Sequence, residues 1–383
     1  MVCSSLIRKH KKNIIKKNFF SKKEILNNTI YKKSNRLLRE EALSRGRNYL
    51  DKCLSGLLFN HKEFTISKET KITVIVPLYN SEKIIKQVVR SIQNQNMTDI
   101  EIIIVNDNST DNSLNIIEEM KKEDPRIKII NNEKNLGILY SRSIAVLQAK
   151  GKYILNLDHD DFFLDEDLFD VLYNEAEEGN FDIVSFMEID NNTYEANVSE
   201  MHDGYYTDHP DNLIVRQPEL TYFTLFKNFS FSFVDAPIWG KLIKTEVYIK
   251  ALNFLGKERY STFNVINEDL ISLFAISSVA ESYKYARKYG IFHKKGYNTA
   301  LHRVDNGHNS KMVIFFIEIV FDLSKKENKK YAVNMIIKAN PSNEENKIYL
   351  GKVLNKMINC EYITEGDKER LREKYKEIGL TAL

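Results

Sequence analysis

The chain has 383 residues, 43% hydrophobic and 28% charged, which is the balance of an ordinary globular protein. That length allows one large domain with appendages, or two domains. The net charge of +3 conceals an asymmetry, since residues 1–47 carry 14 Lys and Arg against 3 Asp and Glu. Three scattered cysteines (Cys3, Cys53, Cys360) make neither a disulfide framework nor a metal knuckle, and read as free thiols in a reducing compartment.

The first region, residues 1–70, is a basic extension. Its opening thirty residues are rich in Lys and Asn and call for no fixed structure. Arg36 to Phe59 places leucines along one broad side of an expected helix. The arm of residues 1–47 suits peripheral contact with an anionic membrane surface, although a solvated lysine-rich tail has the same composition. Aromatic residues are nearly absent from it, which argues against base stacking and so against a nucleic-acid partner. It has no continuous apolar core, so no secretory signal is expected and the cytoplasm is the default location.

The pattern changes at Lys71. Ile72 to Val76 is a short apolar run stopped by Pro77, the mark of a buried strand. Ile84, Ile85, Val88, Val89 and Ile92 follow at helical spacing, with Asn80 or Ser81 as the expected cap. Strands are expected at Ile100–Val105, Ile127–Ile130, Tyr153–Leu157 and Asp182–Phe186, with helices marked by Leu114, Ile117 and Met120, and by Ile138 to Ala149. This alternation predicts β-α-β units, hence an α/β fold with a mostly parallel sheet covered by helices on both faces. Residues 190–300 are less regular. From about Lys311 the chain reads as several helices, and Met312 to Leu323, though greasy, is too short and too charged to reach the ~20 apolar residues of a membrane span.

Polar residues collect where the strands end. Pro77-Leu78-Tyr79-Asn80 follows the first, Asn106-Asp107-Asn108-Ser109-Thr110-Asp111 the second, and Asp158-His159-Asp160-Asp161 the fourth. Carboxyl ends of parallel strands lie on one edge, where open α/β sheets bind ligands. Crowded carboxylates repel one another unless a cation and its bound phosphates relieve them, and hard oxygen ligands suit Mg2+ or Mn2+. Neither a G-x-G-x-x-G nor a P-loop is present, so a nucleotide would be held by carboxylates and metal.

The stretch Ile72 to Phe186 resembles family 2 glycosyltransferases of the GT-A fold. The likeness rests on Val74-Ile75-Val76-Pro77-Leu78-Tyr79-Asn80, Val105 to Asp111, Asn135-Leu136-Gly137, Ser141-Arg142-Ser143, Ala149 to Tyr153 and Leu157-Asp158-His159-Asp160-Asp161, in that order. It implies a GT-A domain over 71–300, with a nucleotide-binding half at 71–186 and an acceptor half at 187–300. A helical C-terminal region at 301–383 would follow. The implied reaction is inverting transfer of a sugar from a nucleotide diphosphate, usually UDP, to a hydroxyl on a glycan, lipid or protein.

By the same resemblance, Asp107 would accept a hydrogen bond from the uracil N–H, and Pro77, Tyr79 and Asn80 would line the base. Arg142 would reach the donor, unless it is a helix-surface arginine. Asp158 would sit by ribose and metal, Asp160 would ligate the metal, and Asp161 would support the metal or hold the sugar. Asp269, paired with Glu268, is the expected general base, although Glu-Asp pairs also simply start helices. His293, or else His302, would complete the metal site. Trp239 and Lys241, in a W-x-K-L pattern, are acceptor-site candidates, or core. Ser141-Arg142-Ser143 and His159 depart from the common family pattern, which bears on donor identity. The competing readings are nucleotidyl transfer, phosphatase chemistry and a catalytically inactive GT-A-fold scaffold or binding module.

Overall fold

A computed structural model describes Ser44 and residues 69–190, 213–217, 238–261, 268–293, 306–325 and 329–380. The expected helix over Arg36 to Phe59 and the basic arm therefore lie, Ser44 apart, outside the described residues.

Strand β1 (Ile72–Leu78) is buried along its whole length because both faces of the sheet are covered. Its residues alternate between two cores, as a period of two requires. Ile72, Val74, Val76 and Leu78 join one cluster with Ile85, Val88, Val89 and Ile92 of helix α1 (Ile85–Gln93), whereas Ile75 joins the cluster on the other side. β2 (Ile100–Asn106), helix α2 (Ser113–Glu123), β3 (Ile127–Asn131), helix α3 (Ile138–Val146) and β4 (Tyr153–Asn156) follow as the alternating pattern predicts. β2 and β4 flank β1, both parallel to it, with Val74 level with Ile102 and Leu155.

Neither Asn80 nor Ser81 caps α1 with its side chain. The Ser81 carbonyl accepts the Ile84 and Ile85 amides, and Asn80 adopts a left-handed φ of 52° and turns to the loop after β2. Its Oδ1 accepts the Thr110 amide at 2.7 Å, and its own amide donates to Ser109 Oγ at 3.1 Å. Glu82 and Asp111 tie the same loops reciprocally, each carboxylate accepting an amide from the opposite side at 3.0 Å.

Beyond β4 the chain adds the expected strand near Asp182–Phe186, as β6, and further strands and helices within the less regular 190–300. The short β5 (Phe162–Phe163), helix α4 (Leu168–Gly179), β6 (Ile183–Asp190), β7 (Ile214–Arg216), β8 (Lys241–Lys244), helices α5 (Thr245–Leu255), α6 (Lys257–Tyr260) and α7 (Glu268–Val279), and the long β9 (Ser282–His293) extend the sheet. Its order is β3-β2-β1-β4-β8-β6-β9-β5, with β7 on β9. β8 runs antiparallel to β4 and β6, so the sheet is parallel from β3 to β4 and mixed beyond.

Four helices close the described chain: α8 (Asn306–Leu323), α9 (Lys329–Ile336), α10 (Glu344–Ile358) and α11 (Glu365–Glu377). Asn343 and Thr364 cap the last two by accepting the Asn346 and Asp367 amides. Ile314, Ile317, Val320 and Phe321 of α8 are buried in the cluster that also holds α5 and α7. The greasy stretch is thus a core helix, and no described helix is long and apolar enough to cross a membrane.

Candidate active site

Because β1, β2 and β4 are parallel, their carboxyl ends bring Leu78, Asn106 and Asn156 to one edge. β8 runs the other way, so its first residue, Lys241, arrives at that edge one step beyond Leu242, the partner of Leu155. Continuing the β5–β9 pairing, in which Phe162 faces Phe292, sets the His293 backbone across from Asp161. The side chain of His293 and all of His302 lie outside the described residues.

Asp107 is buried and fixes the loop leading into α3. Its Oδ1 accepts Asn132 Nδ2 and the Leu136 amide, each at 2.8 Å, and its Oδ2 accepts the Gly137 amide at 2.8 Å. Gly137 has a φ of 89°, which a side chain would strain, so the Asn-Leu-Gly motif is a backbone requirement. Pro77 is buried at the end of β1, and Tyr79 and Asn80 are half-buried beside it.

Arg142, one turn into α3, is fully buried rather than on the helix surface. Its Nη2 donates to Asp158 Oδ1 at 2.5 Å, and its Nη1 to Asp269 Oδ1 at 2.7 Å and Glu268 Oε1 at 3.3 Å. One guanidinium thus holds a carboxylate from the β4 turn and two from the start of α7. Its planar, permanently charged fork suits this better than an ammonium. Burial alone would push the guanidinium down, but Asp158, Asp269 and Glu268 together hold it above its ordinary value.

The acidic partners are left in excess. Burial and the neighbouring Asp269 push Glu268 up to about 8, against the pull of Arg142. Burial also raises Asp269, opposed by Arg142 and assisted by Asp158. Carboxyls raised in this way are suited to acid–base chemistry. Asp269 is the more accessible of the two, its side chain 24% exposed against 12% for Glu268.

Asp160 is half-buried in the turn after β4, and Asp161 is fully buried, its amide donating to the Asp158 carbonyl at 3.2 Å. Among the described residues no three His, Cys, Asp or Glu side chains gather closely enough to hold a metal by themselves. Trp239 is 7% exposed and packs with Phe186 and Leu242, while Lys241 is buried and acts electrostatically on Asp269.

Two residues that sequence reading passed over complete this interior. Asn156 ends β4 fully buried, and Arg142 Nε is buried without a hydrogen-bond partner. Beside them stands Tyr248 of α5, which burial pushes up to about 12. The one available signal was an Asn inside an apolar strand.

The arrangement is a GT-A-type α/β domain with an acidic, arginine-centred site at its strand ends. Residues 73–248 match the model of glycosyl transferase family 2. Glycosyltransferase GlyA of Streptococcus pneumoniae is 33% identical over 203 residues, 49% of this chain and 26% of that protein. A cholesterol galactosyltransferase of Borreliella burgdorferi is 29% identical over 234 residues, 57% of this chain and 58% of that protein. The chain spans less than half the length of the pneumococcal relatives it matches, GlyA at 26% and GlyG at 42%. The fold is that of S. aureus TarS residues 1–349, solved with UDP-GlcNAc, at a TM-score of 0.59 and 17% identity over 81% of this chain and 89% of that one.

Proposed function

We propose that the chain transfers a sugar from a nucleotide diphosphate donor, of the UDP type, to an acceptor hydroxyl with inversion. The observation that carries this reading is the union, around Arg142, of Asp158 from the strand-end turn with Glu268 and Asp269 from α7. The match of residues 73–248 to the family 2 model and the TarS fold support it, and TarS itself is described with UDP-GlcNAc.

The loops after β1 and β2, tied together by Asn80, Glu82 and Asp111, form a lip for the base, with Pro77, Tyr79 and Asn80 on one side and Asp107 on the other. Asp269 is the general base. Its accessible side accepts the acceptor's proton while Arg142 fixes Oδ1, and Glu268 beside it stays protonated near neutral pH. Trp239 and Lys241 border the acceptor.

A divalent cation fits the donor set. Mg2+ and Mn2+ take hard oxygens, and such ions are commonly held by one or two carboxylates plus substrate phosphates. Asp160, with Asp158, would hold it, Asp161 would support it, and His293 would complete the set. The surplus of carboxylates over cations matches this assignment. When bound, the ion neutralises charge on the departing diphosphate.

The acceptor is a glycan, a lipid-linked sugar or a protein. For a lipid acceptor, attraction of the basic arm to anionic headgroups would bring the protein to the surface. The test is a screen of UDP-sugars for hydrolysis or transfer by the full chain with Mn2+. Release of UDP by the wild type, lost in Asp269→Asn, supports the reading. Nucleotide binding without turnover of any donor would favour the scaffold alternative.

A further inference from the structure

The three ion pairs of Arg142 do not belong to one side of the reaction. Asp158 lies 16 residues after Arg142, in the turn assigned to the donor, whereas Glu268 and Asp269 lie 126 and 127 residues away, at the helix assigned to the acceptor. Both terminal nitrogens are occupied by protein carboxylates, and the side chain is fully buried. A guanidinium so engaged has no face turned outward to a diphosphate.

Resting on the function proposed above, we infer that Arg142 is a positioning residue: it sets the Asp269 carboxylate against the donor-side turn rather than binding the donor. Its two nitrogens fix the separation of Asp158 and Asp269, so the base and the leaving group are held in one frame. Arg142 also acts electrostatically on the buried Tyr248 of α5. Catalysis is sensitive to such placement, since displacing a reacting group by about 1 Å can cost ~100-fold in rate.

A lysine keeps the charge and much of the length but cannot span two carboxylates in fixed geometry. Arg142→Lys is therefore compared with the wild type by UDP titration in Mn2+, by UDP-sugar hydrolysis, and by amide exchange across 268–273. The expected result is a UDP Kd within about threefold of wild type, a kcat lowered ~30-fold or more, and faster exchange at the start of α7 with β1 and β2 unchanged. The double variant Arg142→Lys/Asp269→Asn should be scarcely slower than Asp269→Asn alone, because the arginine acts through that carboxylate.

A Kd raised tenfold or more with kcat preserved would overturn the inference and return Arg142 to the donor. So would unchanged exchange at 268–273, a measurement that needs no nucleotide. Absence of nucleotide binding by the wild type would instead strike the proposed function, leaving the exchange result to decide whether Arg142 positions α7.

Discussion

Arg142 and Asp269 stand 127 residues apart in the chain and 2.7 Å apart in the fold. The contact joins the helix after β3 to the helix before β9, and it closes the candidate site. Removing the guanidinium would leave Asp158, Glu268 and Asp269 facing one another without their shared cation. A substitution such as Arg142→Met should destabilise the protein by about 3–5 kcal/mol, as breaking a buried pair does. Urea unfolding of the variant against wild type measures this.

Glu268 should make stability fall as pH rises. Its carboxyl is pushed up to about 8 in the fold, chiefly by burial and then by Asp269, against an ordinary 4.5. Between these values the folded state binds the proton that the unfolded state has lost. Stability is therefore highest below about 4.5 on this account and declines as pH rises through about 8, levelling off only once the carboxyl is ionised in the fold. Glu268→Gln should flatten that decline, read as the change in Tm from pH 5 to pH 8.

Asp107→Ala should cost stability before it costs anything else. The substitution strands the Asn132 side-chain amide and the Leu136 and Gly137 backbone amides. At roughly 1–3 kcal/mol for each buried unsatisfied group, partly relieved by water, a loss of about 3 kcal/mol is expected. Chemical denaturation tests the stability change, and UDP titration of the folded fraction tests whether the loop still binds.

Gly151→Ala should be destabilising by about 1–3 kcal/mol, the cost of overpacking. A Cβ at this position would stand 2.4 Å from the Thr73 amide nitrogen, where backbone cannot yield easily. The Gly151 amide also donates to Thr73 Oγ1 at 2.9 Å, so the turn before β4 is pressed against β1. A thermal melt of the variant is the check.

Much of the parallel half was legible because it is periodic. Apolar runs such as Ile72–Val76 can only be buried strands between covered faces, and each is followed by a helix long enough to cross back. The strand-end motifs were legible for the same reason, since parallel strands bring their carboxyl ends together whatever the loops do. Strands β8 and β9 were not, because they are set by long-range partners and not by local pattern. Arg142 shows the limit most plainly. Its acidic partners on α7 are invisible at helical spacing, so a buried hub and a surface arginine looked alike in the sequence. Asn80 misled in the other direction: a good capping residue by type, it takes a left-handed backbone and serves the neighbouring loop.

The account's central claim is a nucleotide-diphosphate site at the strand ends, built on Asp160 and its neighbours. The most direct measurement is calorimetric titration of UDP into the full chain, with and without Mn2+, for the wild type and Asp160→Ala. The account predicts Mn2+-dependent binding by the wild type that is lost in the variant. Failure of the wild type to bind UDP, or binding indifferent to both the metal and Asp160, would contradict it.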